Sequence, residues 1–449
     1  MFSFLRGRLL LLFFVFAAVA FVGSAQAAPA TVKVVRDGSG RCQLLRDGKP
    51  YFIRGAGGND DRFLPALAAA GGDSLRLWGD DHLGETLDKA AELGLTVAAG
   101  IWLPQLRQGF NYHDAAAVAG LREHVRKTVE RFREHPALLI WALGNEVEDP
   151  QGADAAVWTA INDLAALVKQ LDPRHPVMTV IAEVGGEKIP NLHRLCPALD
   201  IVGINTYAGA ATVGERYAKA GGTKPYVVTE FGPPGIWEIG KNAIGAYPEP
   251  SSTEKAEIYT RAYRGAVLAQ PQLCLGSYVF LWGQKQEVTA TWFSLFLADG
   301  TRLAPVDVMT EFWTSRPPAN RCPEIKKLEF QGAAAVAPGA TVEAALTVSD
   351  PEGDPLKTVW LLQRDPEAFG NGGDMEQVPP AFPEAVIQGS ATGAKVRLPG
   401  ASGLYRLFVT VRDNHGGGAV ANLAIRVDAA LPPAAAPQRL RPLLPGPPR

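Results

Sequence analysis

The sequence predicts an α/β fold in which a (β/α)8 TIM barrel is followed by a small all-β sandwich domain. From Tyr51 to about Arg316, short apolar runs alternate with helix-like stretches, a pattern typical of parallel strands buried on both faces. This region is about 265 residues long, close to the roughly 250 residues typical of such a barrel. After Pro318 the helical period disappears, and alternating runs with Gly, Pro and Asp turns predict the sandwich.

Apolar runs supply the predicted barrel strands. They are YFIRGA (51–56), DSLRLWG (73–79), LTVAAGIWL (95–103), ALLIWALGNE (137–146), PVMTVIAE (176–183), DIVGINTY (200–207), PYVVTEFG (225–232) and GSYVFLWG (276–283). The helical patterns between them are clearest at 114–134, 155–171 and 253–270. A doubly wound open sheet is the alternative, but such a sheet rarely has eight units and usually begins with a glycine-rich phosphate turn, which is missing here.

The first residues of the chain predict the cellular location of the protein. Two arginines precede an apolar run (9–22), and the small-x-small sequence Ala-Gln-Ala (25–27) follows it. These features are typical of a secretory signal peptide, and the run is short for a membrane span. We therefore predict a signal peptide at 1–27 and a secreted or periplasmic mature protein, with an uncleaved anchor as the alternative.

The remaining domains follow from turn signals and composition. Asp-Gly turns at 37–38 and 47–48 predict a β-hairpin, and clustered proline and alanine predict a disordered tail. The predicted domains are a hairpin lead-in at 28–50, the barrel at 51–318, the β-sandwich at 322–428 and the Pro-rich tail at 429–449. Because the proposed catalytic residues all precede residue 318, we expect a chain that ends there to keep its active-site chemistry.

Charge and cysteine spacing exclude several classes of partner. The formal net charge is −2, and loss of Arg6 and Arg8 with the leader would make it −4, so we expect no binding to nucleic acid or anionic membranes. No second apolar run is long enough to span a membrane. The cysteines lack CxxC or Cys/His spacing, so we predict no metal and no cofactor. Segment 350–355 (DPEGDP) could bind calcium, but a turn between strands is the preferred interpretation.

The cysteines allow a disulfide prediction. Cys42 lies before the first strand and Cys322 after the last helix. Both positions are expected at the N-terminal face of the barrel, so a Cys42–Cys322 bridge is geometrically favoured over a Cys196–Cys274 bridge. Four free, partly buried thiols are the alternative.

The polar residues at strand ends point to the chemistry. In a (β/α)8 barrel the catalytic groups sit at the C-terminal ends of the strands. The residues that end otherwise apolar runs here are Arg76, Asn145 and Glu146, then Asn205, Thr206 and Tyr207, then Glu230, and finally Trp282. A carboxylic acid placed directly after such a run is costly to desolvate, so two of them on one face indicate a functional site.

Glycoside cleavage explains this set of residues. The leaving oxygen needs a proton donor, for which Glu146 requires a raised pKa, and the anomeric carbon needs an ionised nucleophile, Glu230. Two carboxyls about 5–5.5 Å apart perform this reaction with retention of configuration. We predict that Arg76 and Tyr207 stabilise the Glu230 anion and that Asn145 binds the sugar 2-hydroxyl.

Aromatic side chains complete the predicted substrate site. Trp282 offers an apolar face for a pyranose ring, and Trp102, at the end of the third strand, is expected to line a subsite. Trp237, in the loop after Glu230, could stack on sugars, with ordinary loop packing as the alternative. The predicted partner is therefore an oligo- or polysaccharide substrate.

The same residues resemble a known group of enzymes. WALGNEVE (141–148) and VVTEFG (227–232) resemble the acid/base and nucleophile motifs of clan A glycoside hydrolases, and SLRLWG (74–79), GINTY (203–207) and FLWG (280–283) resemble the other strand ends of that clan. The nearest family is the TIM-barrel catalytic domain of glycoside hydrolase family 2. The resemblance implies a retaining double displacement on a β-linked sugar, with Glu146 as acid/base and Glu230 as nucleophile.

Other parts of the chain resemble further families. YFIRGAGG (51–58) after a hairpin is similar to the β-1,3-glucanosyltransferases, and segments 350–355 and 411–420 are similar to Ig-like, cadherin-like and polycystic-kidney-disease-type sandwich modules. Typical family 2 enzymes carry jelly-roll and sandwich domains before the barrel, whereas only about 20 mature residues precede the first strand here. We therefore do not expect the usual galactosidase, glucuronidase or mannosidase specificities to carry over.

Three functions remain open from the sequence. The first is hydrolysis of a β-linked glucan or exopolysaccharide, and the second is transglycosylation with the same two carboxylates. The third is noncatalytic carbohydrate binding on an inactive barrel. The intact pair of Glu146 and Glu230 argues against the third function, because a binding protein has no use for both.

Overall fold

The computed structural model describes residues 29–432 except for 367, 371, 372 and 375. The predicted signal peptide and the tail from residue 433 onward lie outside the described residues, so both stay predictions. In the part of the chain that is described, no helix has the length and apolar character that a membrane span requires.

A three-stranded antiparallel sheet precedes the barrel: β1 (Val32–Arg36), β2 (Cys42–Arg46) and β3 (Lys49–Tyr51). The backbone N–H of Val32 donates to the carbonyl of Arg174 at 2.8 Å, and that of Cys42 donates to Gln272 at 2.8 Å. Both acceptors precede barrel strands, so this sheet covers the N-terminal end of the barrel, where Leu44 packs on the residues inside it.

Within the described residues, eight parallel strands close into a barrel in chain order, which confirms the predicted fold class. They are β4 (Ile53–Gly57), β5 (Ser74–Arg76), β6 (Thr96–Ile101), β7 (Leu138–Leu143), β8 (Val177–Ala182), β9 (Ile201–Asn205), β10 (Tyr226–Glu230) and β11 (Cys274–Val279). The outer helices are α1 (Leu64–Ala69), α2 (Leu83–Glu92), α3 (Ala115–Phe132), α4 (Ala155–Leu171), α5 (Lys188–Leu195), α6 (Val213–Lys219), α7 (Ser252–Tyr263) and α8 (Ala304–Thr314). A π-helical segment, Arg264–Leu268, continues α7.

Local sequence explains where these elements begin. The Asp114 carboxylate accepts from the backbone N–H groups of Ala116 and Ala117 at the start of α3, and Ser251 and Glu254 form a capping box at the start of α7. All six residues of β7 are buried. That burial on both faces is the reason why its sequence is a continuous apolar run instead of an alternating one.

The sandwich consists of two sheets with the strand orders β12-β21-β20-β16-β17 and β13-β15-β19-β18, and β14 also pairs with β21. Strand β15 alternates exposed and buried residues along much of its length, as expected for a sheet with one solvated face. The strands are β12 (Arg302–Leu303), β13 (Glu324–Phe330), β14 (Ala335–Val336), β15 (Thr341–Ser349), β16 (Lys357–Arg364), β17 (Ala381–Phe382), β18 (Val386–Gly389), β19 (Gly393–Arg397), β20 (Gly403–Arg412) and β21 (Gly417–Val427).

The sandwich and the barrel are joined by strand pairing and by side-chain hydrogen bonds. Strand β12 immediately precedes α8 of the barrel, yet it pairs with β21 of the sandwich. The amide of Asn422 donates to the Glu249 carboxylate at 2.7 Å, and Glu249 forms a buried ion pair with Lys255 in α7 at 2.6 Å. The expectation of a separable barrel is therefore not supported, because removing the sandwich would expose this buried pair.

Ending the chain at residue 318 should destabilise the barrel. We expect the thermal midpoint of the truncated protein to fall by at least about 5 °C, because a loss of a few kcal/mol shifts a domain of this size by that amount, or the protein to be insoluble. Thermal unfolding followed by circular dichroism checks this. An unfolding midpoint equal to that of the full chain would contradict the inference that the sandwich stabilises the barrel.

All four cysteines are free and buried, so the Cys42–Cys322 prediction is wrong. After α8 the chain turns back towards the start of that helix. There the backbone N–H of Cys322 donates to the carboxylate of Asp307, in the first turn of α8, at 2.6 Å. Cys42 lies instead at the N-terminal end of the barrel, so the two thiols are far apart in the fold.

Candidate active site

Two predicted residues form a buried ion pair at the C-terminal end of the barrel. Arg76 ends β5 and Glu230 ends β10, and Arg76 Nη1 lies 2.8 Å from Glu230 Oε1, with the side chains 1% and 7% exposed. Arg76 Nη1 also donates to the carbonyl of Thr229 at 3.0 Å. A guanidinium in this position fixes the direction of the carboxylate.

Two further donors contact Glu230. The hydroxyl of Tyr207 donates to Glu230 Oε2 at 2.6 Å, and the indole N–H of Trp78 donates to Oε1 at 2.6 Å. Burial and the charge of Glu230 raise the pKa of Tyr207 well above its usual value, so the phenol stays a donor. Both carboxylate oxygens therefore accept hydrogen bonds, which suits a carboxylate that must act in its ionised form.

The second carboxyl, Glu146, lies just after β7. Asn205 Nδ2 donates to Glu146 Oε1 at 2.6 Å. Burial, and then the negative charge of Glu230, raise the pKa of Glu146 to about 7. A carboxyl with this pKa can both give and take a proton near neutral pH, as an acid/base must.

The backbone of Glu146 is also unusual. Its φ is +51°, which is in the left-handed region that residues other than glycine rarely adopt. Its N–H donates to the carbonyl of Val180 in β8 at 2.9 Å, which holds the turn in place. Sparsely populated backbone conformations cluster at functional sites, where the surroundings stabilise them.

An amide network connects the two carboxyls. Asn145 Oδ1 accepts from Arg76 Nη2 at 2.6 Å and from Asn205 Nδ2 at 3.1 Å. Its oxygen is thereby engaged by the protein, and the predicted bond from its NH2 group to a sugar 2-hydroxyl stays a prediction. The Asn205 oxygen in turn accepts from the Thr229 hydroxyl at 2.8 Å.

The structure thus brings Arg76, Asn145, Glu146, Tyr207 and Glu230 together. Sequence reasoning missed one contacting residue, Trp78, and named Asn205 at the end of the sixth strand without giving it a role. Trp78 lies in the strand-end sequence SLRLWG and Asn205 in GINTY. The sequence therefore shows that they are near the site, but it does not show their hydrogen bonds.

The predicted stacking role of Trp282 is wrong. The Trp282 side chain is 1% exposed. Its ring packs against Phe296 and Trp313 at centroid distances of 5.1 and 5.7 Å, and its N–H donates to the carbonyl of Phe63 at 3.0 Å. The ring is a structural part of the barrel and has no face open to a sugar.

Two other tryptophans are open to solvent at this end of the barrel. Trp102 follows β6 and is 36% exposed, and Trp237 is 56% exposed. The ring of Trp237 lies 5.8 Å from that of Tyr207, edge to face. The subsite role of Trp102 stays a prediction, and Trp237 contacts Tyr207, the donor to Glu230.

Among the described residues, no group of three or more His, Cys, Asp or Glu side chains is arranged so that it could hold a metal ion. In the segment proposed for calcium, one carboxylate oxygen of Asp350 accepts from the backbone N–H groups of Glu352 and Asp354 at 3.0 and 2.9 Å. These contacts are those of a turn, the preferred interpretation of that segment.

Turnover should fall as pH rises through about 7. Glu146 must carry a proton to protonate the leaving group, and its raised pKa of about 7 means that this proton is lost above that pH. The pH dependence of kcat/KM measures this basic limb. Because the Asn205 amide favours the ionised form of Glu146, Asn205→Ala should move the limb to higher pH, and a rate that stays constant above pH 7 would contradict the assignment.

Comparison with known proteins shows which barrels this one is similar to. Residues 102–263 match the family model described as glycosyl hydrolases family 2, TIM barrel domain. The barrel is similar to the family 2 TIM barrel. A β-glucuronidase of Streptococcus agalactiae is 24% identical over 230 residues, which cover 42% of this chain and 38% of that protein. The matched region of this family 2-like barrel includes Glu146 and Glu230.

Solved structures show the same fold. A β-glucuronidase of Faecalibacterium prausnitzii has a TM-score of 0.51 at 18% identity, covering 64% of this chain and 52% of that one. The β-D-glucuronidase of Dictyoglomus thermophilum has a TM-score of 0.50 at 18% identity, covering 64% and 54%. The chain therefore spans about half the length of these structures and less than two fifths of the curated relative.

Proposed function

We propose that the protein is a retaining glycoside hydrolase that cleaves β-linked glycans. The observation that carries this proposal is the pair of carboxyls with different environments at the C-terminal end of the barrel. Glu146 has a pKa of about 7, whereas Glu230 is held by Arg76, Trp78 and Tyr207. Environments that differ in this way assign one carboxyl as acid/base and the other as nucleophile.

The proposed reaction is a double displacement. Glu230 attacks the anomeric carbon while Glu146 gives its proton to the departing oxygen, which forms a glycosyl-enzyme ester and releases the first product. Glu146, now ionised, then removes a proton from water, and the resulting attack on the anomeric carbon releases the sugar and regenerates Glu230. In this proposal the NH2 group of Asn145 binds the sugar 2-hydroxyl during both steps.

The substrate is proposed to be a glucan or exopolysaccharide. The exposed rings of Trp102 and Trp237 at this end of the barrel suit stacking on sugar units beyond the cleavage point. A polymeric substrate also agrees with the proposed secreted or periplasmic location. Although the similar proteins are named β-glucuronidases, their activity is not assumed for a chain that spans only part of their length.

Transglycosylation is the second candidate. The same exposed tryptophans could hold an acceptor sugar, which would then replace water in the second step. Glu146 and Glu230 would keep their roles, so the two reactions differ only in the acceptor. A noncatalytic binding protein would not need Glu146, a carboxyl with a raised pKa, beside Glu230, a carboxylate in an ion pair.

A panel of β-linked glucans, exopolysaccharides and aryl β-glycosides, including a β-glucuronide, tests the proposal. Mass spectrometry of the products in ¹⁸O-water distinguishes the reactions. Hydrolysis gives shorter products that carry the label, transglycosylation gives longer unlabelled ones, and a binding protein leaves every substrate unchanged. The last result across the panel would contradict the proposed function.

A further inference from the structure

Three polar side chains of the sandwich face the barrel, and we name them the sandwich clamp. Arg406 lies in β20, and Asn422 and Arg426 lie in β21. Arg406 pairs with Ala424 in the strand register, so all three side chains project from the same face of the sheet. Leu407 points to the other face and into the sandwich core. The face of a sheet that lies opposite its core is normally solvated, yet Arg406 is only 2% exposed.

The segment that covers this face is the loop that follows the seventh barrel strand. We name residues 231–251, between β10 and α7, the β10 loop. Arg426 Nε donates to the carbonyl of Ile244 at 2.7 Å, and Arg406 Nη2 donates to that of Tyr247 at 3.0 Å. The sandwich clamp therefore holds the β10 loop by its backbone.

Arg406 is itself held in one orientation. Its Nε and Nη2 donate to the two carboxylate oxygens of Asp365 at 2.7 and 3.0 Å, and its Nη1 donates to Asn422 Oδ1 at 2.8 Å. The Asn422 amide then donates to Glu249, near the end of the β10 loop, at 2.7 Å. The planar guanidinium thus positions the backbone of Tyr247 directly and the side chain of Glu249 through Asn422.

Glu249 connects the β10 loop to the segment that follows β11. Its carboxylate accepts from the hydroxyls of Thr289 and Thr291 at 2.7 and 2.8 Å, and its side chain is 1% exposed. The indole N–H of Trp292 in turn donates to the carbonyl of Pro234, near the start of the β10 loop, at 3.0 Å. The two segments are therefore joined near both ends of the β10 loop.

Trp237, in the middle of the β10 loop, is fixed beside the catalytic residues. Its ring stacks on that of Phe293 at 6.2 Å with 27° between the planes, and it lies edge to face with Tyr207, the donor to the nucleophile. The carboxylate of the neighbouring Glu238 accepts from the backbone N–H of Ala208 at 3.1 Å. Because Trp237 is nevertheless 56% exposed, a ring that is held in place still presents open surface.

Packing links the sandwich clamp to this ring. Ile239 and Tyr247 of the β10 loop both pack against the buried apolar cluster that contains Tyr207. The carbonyl of Tyr247 is the acceptor of the hydrogen bond from Arg406. A sandwich side chain therefore contacts the same packed unit that supports the ring of Trp237.

We propose that the sandwich clamp positions the β10 loop for substrate binding, so that the ring of Trp237 stacks on the sugar unit next to the one that Glu230 attacks. The Glu230 side chain is 7% exposed, so the more exposed ring borders the entrance of the site, where the neighbouring unit would lie. A ring that is already fixed loses little conformational entropy when it binds a sugar. This inference rests on the proposed function and deepens it, because it assigns to the sandwich the binding of chains of sugars over single sugars.

Substrates of different length test the inference on the full chain. β-Glucosyl fluoride places one sugar at Glu230, whereas β-1,3- and β-1,4-linked gluco-oligosaccharides of two to five units extend to Trp237. If the substrate panel selects another sugar, the corresponding fluoride and oligosaccharides are used. Trp237→Ala should raise KM for the oligosaccharides by about tenfold, the value of a well-placed aromatic contact. KM for the fluoride should change by less than about twofold, as for a substitution away from the bound ligand.

Variants of the sandwich clamp should reproduce this pattern. Arg406→Lys keeps a positive charge beside Asp365 but loses the fork that reaches the β10 loop. We expect KM for the oligosaccharides to rise by about fivefold, as loss of one hydrogen bond gives, with a smaller change in kcat. Arg426→Ala, at a partly buried position, should act in the same direction, and it keeps the test decisive if the Arg406 variant fails to fold.

Arg412→Lys is the matched control. Arg412 lies in β20 on the same face as Arg406, but it pairs with Asp299, outside the β10 loop, at 2.7 Å. This substitution should change neither KM nor kcat. A double-mutant cycle separates positioning from a general loss of stability, because in the Trp237→Ala background Arg406→Lys should have no further effect on KM for the oligosaccharides.

The outcomes separate this inference from the proposed function. Unchanged oligosaccharide KM in Trp237→Ala or in both clamp variants would overturn the inference, as would equal changes for fluoride and oligosaccharide or additive effects in the cycle. Absence of turnover would overturn the proposed function, and calorimetric binding of the oligosaccharides by the wild type and the same variants would still decide the inference. A wild-type protein that neither converts nor binds any of these probes would overturn both.

Discussion

Replacing Glu230 with Ala is expected to lower kcat/KM by at least about a thousandfold on the best substrate found, as loss of a catalytic nucleophile typically does. Without the carboxylate no glycosyl-enzyme can form. Added azide or formate should partly restore the rate, because a small anion can occupy the cavity and attack the anomeric carbon directly. The rescued product should then have inverted configuration.

The controls for Glu230→Ala follow from its ion pair with Arg76. Removing one partner of a buried pair destabilises a protein by about 3–5 kcal/mol, so the unfolding midpoint must be measured alongside activity. Glu230→Gln keeps acceptor and shape for Tyr207 and Trp78, and should be equally inactive but more stable. Glu215→Ala, at an exposed position in α6, should behave like the wild type. Retention of more than a small fraction of activity in Glu230→Gln would remove Glu230 from the nucleophile role.

Replacing Glu146 with Gln is expected to affect substrates according to their leaving groups. A general acid contributes about 10²–10⁴-fold when the departing oxygen needs a proton. We therefore expect a loss of that size on unactivated glycans and a much smaller loss on activated aryl glycosides. The comparison of kcat/KM on the two substrate types measures the effect.

A second result should accompany this change. The basic limb of the pH profile, assigned to Glu146 from its raised pKa, should disappear in Glu146→Gln. Equal losses on both substrate types, or an unchanged pH profile, would contradict the acid/base assignment. Glu215→Gln is a suitable control for the substitution itself.

The barrel could be predicted from the sequence because its main features are local. Each parallel strand is buried on both faces, so it is a continuous apolar run, as at Leu138–Leu143. Barrel topology then brings every C-terminal strand end to one face. That rule alone was enough to place Arg76, Asn145 and Tyr207 beside Glu146 and Glu230.

The failures share a different cause, namely contacts between distant parts of the chain. Trp282 was expected to face the substrate, but Phe296 and Trp313 cover it. Cys322 was placed by the direction of α8, but the chain turns back to Asp307. The sequence around Trp282 or Cys322 does not show which distant residues these side chains contact.

The contact between the sandwich and the segment after the eighth barrel strand could not be predicted for the same reason. Val288 and Glu376 are 88 positions apart in the sequence, and no local pattern links them. The φ of Val288 is +61°, and only the folded chain shows that Glu376 accepts a hydrogen bond from its backbone N–H. A sequence division at residue 318 therefore separates parts that the fold joins.

Covalent trapping tests the central claim most directly. A 2-deoxy-2-fluoro β-glycosyl fluoride that matches the preferred sugar slows hydrolysis of the glycosyl-enzyme, so the intermediate should accumulate. Peptide mapping by mass spectrometry should then find one sugar attached to the peptide that contains Glu230, and proton NMR should show that the first sugar released from a natural substrate keeps the β configuration. A label on another residue, or a first product with the α configuration, would contradict the account.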